Sequence, residues 1–71
     1  MSNVIPLPGY AVHLGRTPLG MFWVETVRGL VDPDFPPEGA PLVDSHEEAL
    51  DLALSIGERT GLTVISHVGG W

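Results

Sequence analysis

Asp44-Ser45-His46-Glu47-Glu48-Ala49-Leu50-Asp51-Leu52-Ala53-Leu54-Ser55-Ile56-Gly57-Glu58-Arg59-Thr60-Gly61 is the stretch that decides the fold. Ser45-His46-Glu47-Glu48 has the form of a capping box. The Ser45 hydroxyl can accept the backbone N–H of Glu48, and the Glu48 carboxylate can reach back to the N–H of Ser45. Asp44, Glu47 and Glu48 stand at the positive end of the helix dipole, and Arg59 near its negative end. Gly61 suits the left-handed residue that follows a helix. These signals predict one helix over about 45–60. Ala49, Leu52, Ala53 and Ile56 recur at helical spacing and form its expected core stripe, with Leu50 and Leu54 on the flank. At about 100° per residue the apolar arc reaches roughly 200°, wider than the ≳ 100° that one buried face requires. The polar arc holds Glu47, Glu48, Asp51, Ser55, Glu58 and Arg59.

Strand patterns flank the helix. Tyr10, Val12 and Leu14 alternate with Ala11 and His13, which predicts a half-buried strand. Gly15-Arg16-Thr17-Pro18-Leu19-Gly20 is turn chemistry. Met21 to Val27 is rich in aromatic and β-branched residues and predicts the hairpin's second strand, with Phe22, Val24 and Thr26 on one side and Trp23 on the other. Residues 28–41 carry four of the seven prolines and two glycines. This Pro-rich acidic connection exceeds the ~4–6-residue median, and loops of that length are often functional or disordered. Leu42-Val43 is a candidate edge strand, and 62–68 reads as a final strand. The N-terminal 1–9, with Pro6 and Pro8, reads as an extended arm, and 69–71 as a flexible tail ending in Trp71. The expectation is one α+β domain over 1–71: a small β-hairpin plus further strands in a sheet of three or four, with one helix on one face, in the order β-β-(β)-α-β.

Length and charge bound the function. The chain has 71 residues and no cysteine, which excludes disulfides and thiolate metal sites. A domain of that size buries only ~60% of its unfolded surface, so no deep interdomain cleft is expected. Nine acids against three bases leave a net charge of −6, and every base is Arg. Direct nucleic-acid binding is not expected of such a chain, because phosphates require cations. No apolar stretch approaches the ~20 residues of a membrane span, and the first residues lack a signal-peptide pattern, so the expected setting is the cytoplasm. The preference for Arg, Ala, Gly, Pro and Val fits GC-rich coding and a phage or other mobile element.

Phe22-Trp23-Val24-Glu25, Pro33-Asp34-Phe35-Pro36 and Asp44-Ser45-His46-Glu47-Glu48-Ala49-Leu50 together resemble the core of HicB-type antitoxins. In that family an aromatic strand leads to a Pro-Asp-x-Pro-Gly turn and then to an acidic cap and helix, in a partial RNase H-like fold. The resemblance covers about half of the chain. It implies a protein that neutralises a basic ribonuclease and dimerises through an edge strand. Val27 to Asp32 insert residues before the turn, and Pro37 stands where the family has Gly.

The chemistry-bearing residues are few. His13, His46 and His67 show no metal-ligand spacing, although His13 and His67 would be neighbours if their strands pair. His46 with Glu47 and Glu48 has the residue types of acid–base catalysis, but the cap and the helix dipole already account for both carboxylates. No glycine-rich phosphate loop is present, and no cofactor or metal is expected. Between Gly29 and Glu58 stand eight carboxylates and no Lys or Arg. The expected role is therefore a non-catalytic acidic regulator or inhibitor that docks on a basic surface of nucleic-acid machinery, such as RNA polymerase or a CRISPR or nuclease complex. The expected partner-binding residues are Asp32, Asp34, Glu38, Glu47, Glu48 and Asp51 for steering, with Leu50, Leu54 and Trp71 as apolar anchors. The alternatives are a HicB-like antitoxin and a small enzyme or enzyme subunit using His46.

Overall fold

A computed structural model describes residues 9–68. The elements run β1 (Tyr10–Arg16), β2 (Phe22–Arg28), β3 (Leu42–Val43), α1 (His46–Thr60) and β4 (Val64–Ser66). The four strands form one mixed sheet in the order β3-β2-β1-β4. β1 pairs antiparallel with β2 and parallel with β4, and β2 pairs antiparallel with β3. The α+β layout predicted from the sequence is present, with the single helix packed on one face of the sheet.

The helix begins and ends where its local chemistry places the ends. Ser45 is extended, at φ −123°, and its Oγ accepts the N–H of Glu48 at 3.3 Å. Gly61 takes φ +76°, which an L side chain rarely adopts, and its N–H donates to Gly57 O at 2.8 Å. The helix face differs in detail from the expected stripe. Ala49, Ala53 and Gly57 are its buried residues, while Leu50, Leu52 and Ile56 are half-buried. Small residues line the contact because the helix lies close to the sheet. A Cβ on Gly57 would fall 2.7 Å from Val64 Cγ2. Leu14, Val12 and Val24 fill the space beneath, joined by Leu62.

The opposite face of the sheet corrects two expectations. β1 is not half-buried; Ala11 to Gly15 are all buried. Gly15 belongs to the strand rather than the turn, and the hairpin closes instead through Thr17 N–H to Met21 O at 2.8 Å. Trp23, on the side of β2 away from the helix, lies over Gly15. A Cβ there would fall 2.4 Å from the indole Nε1, so only glycine fits. The indole N–H donates to Pro33 O at 2.9 Å. This bond fastens the long connection across the second face, so the loop is a covering layer tied to the sheet. Within it Phe35 N–H donates to Asp32 O and Asp34 N–H to Asp32 Oδ1, both at 3.0 Å. Asp then Pro in the first two positions suits such a turn. The last strand is also shorter than the sequence pattern over 62–68. Its ladder is extended on either side by Val12 N–H to Thr63 O at 2.9 Å and His67 N–H to Leu14 O at 2.8 Å.

Candidate functional site

The eight carboxylates between Gly29 and Glu58 are all exposed, but they divide into two groups. Glu47, Asp51 and Glu58 recur at helical spacing on the outer side of α1, with Ser55 and the half-exposed Leu54 (48%) among them. Glu48 and Asp44 flank this stripe at the capped end. Asp32, Asp34 and Glu38 belong to the connection whose Pro33 is bound to Trp23, on the face away from the helix. The carboxylates therefore do not form one surface: the helix stripe and the Asp32–Asp34 turn lie on opposite sides of the sheet. Arg59, at the far end of the helix, directs its Nε to Ser55 O at 3.4 Å.

The expected apolar anchors fare differently. Leu54 is exposed beside Asp51 and Glu58. Leu50 is half-buried and packs against the core, because the arc predicted to be too wide is partly taken up by the sheet edge. Trp71, like the 69–71 tail and all of the 1–9 arm except Gly9, lies outside the described residues. Phe35, which follows Asp34, is 71% exposed and was not among the expected apolar anchors. The Asp-Pro-Asp turn immediately before it was the available signal, since a tight surface turn leaves the next side chain outside.

The histidines separate into two environments. His46 is packed rather than free in solvent. Its ring packs on Phe22, with centroids 5.3 Å apart and planes at 20°, and its Nε2 is buried without a partner. His13 and His67 are neighbours because β4 runs parallel to β1 and brings Ser66 opposite Leu14. His13 is 5% exposed and His67 is exposed. His13 Nδ1 stands 2.9 Å from His67 Nε2, with ring planes within 8° and centroids 5.2 Å apart. That centroid separation is about the largest that a 2.9 Å N···N contact allows between two five-membered rings. The two nitrogens therefore lie on the line between the centroids, and the rings meet edge to edge in one plane. This is the geometry of a linear N–H···N hydrogen bond. The nitrogens face one another instead of converging on a third point, as metal ligands do. Among the described residues no three His, Asp or Glu side chains gather for a metal ion. Burial, and then the neighbouring His67, hold the His13 pKa below its ordinary value.

An open cleft of about 540 Å³ borders His67, lined also by Arg16, Thr17, Pro18, Asp34 and Val68. Arg16 also lies over the Phe22 ring, 5.7 Å from its centroid. The cleft presents a guanidinium and a carboxylate together, so it selects no single charge class of ligand. His46 is not part of its wall. No helix among the described residues is long and apolar enough to cross a membrane. Comparison with protein-family models, curated proteins and solved structures finds no match to the chain.

Proposed function

We propose that this chain is a non-catalytic acidic binding protein that regulates or inhibits a basic, nucleic-acid-handling protein by occluding its surface. The observation that carries the reading is the outer side of α1. Glu47, Asp51 and Glu58 surround the exposed Leu54, and no Lys or Arg lies between Gly29 and Glu58. Carboxylates around an apolar side chain suit a partner with an apolar patch rimmed by Lys or Arg. The charges would raise the association rate, and the apolar contact would slow dissociation. The loop group, with Phe35 beside Asp34, offers the same chemistry on a smaller scale from the other face.

A second reading, a HicB-like antitoxin that caps a basic ribonuclease, draws support from the order of the elements. The aromatic strand β2, the Asp32–Phe35 turn and the capped helix follow one another as that resemblance implies. Nothing in the geometry favours the His46 enzyme reading, since that ring is packed on Phe22 away from the cleft.

One binding experiment tests the proposal. Purified bacterial RNA polymerase, a CRISPR effector complex and a basic ribonuclease are each presented to the immobilised chain across a salt series. Binding to one of them is expected, with an association rate that falls as salt screens charges over a Debye length of ~8 Å at physiological ionic strength. Reversal of Glu47, Asp51 and Glu58 to Lys should slow association and flatten its salt dependence, and Leu54→Ser should speed dissociation. Capture of the ribonuclease alone would favour the antitoxin reading. Wild-type kinetics in both variants would remove the helix face from the interface.

A further inference from the structure

His13 and His67 stand 54 positions apart in the chain and meet only because of the parallel pairing of β1 with β4. Their linear contact needs one proton between the facing nitrogens and one lone pair to accept it. Two neutral imidazoles satisfy this, since each carries one proton. A first added proton can sit on an outward nitrogen. The link then persists and becomes charge-assisted. A second added proton places N–H on both facing atoms. No lone pair remains, and two cations stand where a hydrogen bond was. That state cannot keep the contact.

The link holds a thin piece of structure. β4 has three residues, and beyond it the His67 N–H to Leu14 O bond continues the pairing. The charged groups around the pair come from each neighbouring segment on this face. Glu25 stands opposite His13 on β2, with its Oε1 accepting the Thr26 N–H at 3.0 Å. Asp34 from the long connection and Arg16 from the end of β1 line the cleft with His67. The helix packs on the other face of the sheet and supplies none.

We propose that His13 and His67 form a proton-operated latch, which fastens the chain after β4 to β1 at neutral pH and releases it when both rings are protonated. Release breaks the His67 N–H to Leu14 O bond and widens the cleft beside Arg16 and Thr17, while β1 stays paired with β2 along its length.

The direction in pH follows from linkage. The pKa of His13 is lowered in the closed form, so the open form binds the proton more readily. Above the ordinary value of about 6.5, pH does not bias the latch. Below it, opening gains about tenfold per pH unit until the lowered pKa of the closed form is reached.

Backbone hydrogen exchange reads this directly. The probe is the His67 N–H, and the reference is the Val12 N–H, bonded to Thr63 O at the other end of the β1–β4 pairing. Protection factors, corrected for intrinsic exchange, are compared from pH 7.5 to 5.5. The His67-to-Val12 ratio should be constant above pH 7 and fall as pH drops to 5.5, by at most about tenfold. In His67→Gln the side-chain amide oxygen can accept from a protonated or a neutral His13, so the link survives protonation and only the burial of His13 still couples it to pH; the ratio should fall clearly less than in the wild type. His67 is exposed, so this variant should retain the fold, which a circular dichroism spectrum checks. Imidazole ¹⁵N shifts of the wild type at pH 7.5 add a measurement without a variant. Of His13 Nδ1 and His67 Nε2, one should be protonated and the other bare. A flat wild-type ratio, the same fall in His67→Gln, or facing nitrogens in the same protonation state would each overturn the latch.

Discussion

The two faces of the sheet are covered by different means. On the helix side, Val12, Leu14 and Val24 meet Ala49 and Ala53 in an aliphatic core that any matching amphipathic helix could complete. On the other side, one indole lies over one glycine, two imidazoles meet edge to edge, and a proline-rich segment is tied down by a single hydrogen bond. The first face is stabilised by area, which is non-directional. The second depends on particular atoms at particular distances, so it tolerates less change per residue. A small domain with a thin core gains from burying Trp23 behind a loop, and the same loop carries Phe35 and three carboxylates out to solvent.

The sharpest way to break this comparison is Trp23→Ala. The side chain is fully buried, and its loss should cost about 3–5 kcal/mol, measured by urea unfolding. The turn should come free at the same time, seen as fast exchange of the Asp34 and Phe35 amides. If Trp23→Ala costs less than Leu14→Ala, the second face is not a structural layer. Leu14, also fully buried, should cost on the order of 2–5 kcal/mol when cut to Ala, with loosening of helix and sheet together.

Glycine substitutions sharpen the contrast at smaller scale. Gly15→Ala forces a methyl into the indole ring and should destabilise by about 1–3 kcal/mol in thermal or urea unfolding. Gly57→Ala meets Val64 Cγ2 at 2.7 Å, the end of a side chain. There the helix-propensity gain of about 1 kcal/mol offsets much of the crowding, so the net loss should be smaller than at Gly15. An equal or larger loss at Gly57 would make the helix face the less tolerant one. The smallest effect belongs to the cap. Ser45→Ala removes the acceptor for Glu48 N–H and should cost roughly 0.5–2 kcal/mol, with fraying confined to the first turn by amide exchange.

The helix, its cap, its αL terminator, the hairpin and the short edge strand were legible in the residues themselves. Each depends on contacts a few positions apart, such as Ser45 with Glu48 or Gly57 with Gly61. The acids were legible as a list, and their exposure followed from their charge. Their division between two faces was not, because it depends on which way the connection after β2 crosses the sheet. Periodicity over Tyr10–Leu14 predicted one buried side, and it missed the second because the covering atoms come from Trp23 and Pro33. The wide apolar arc on the helix carried real information, since Leu54 remains half exposed while Leu50 finds the core.

By itself, then, the sequence determined a capped amphipathic helix, an aromatic hairpin and an acidic surface, since local geometry and charge require no distant partner. Only the tertiary structure decided that β4 lies parallel to β1, that the proline-rich segment covers the face behind Trp23, and that His13 and His67 share a line. Those outcomes join residues up to 54 positions apart. Their register is set by how the helix packs and where the loop lands, and no local pattern in the chain encodes either.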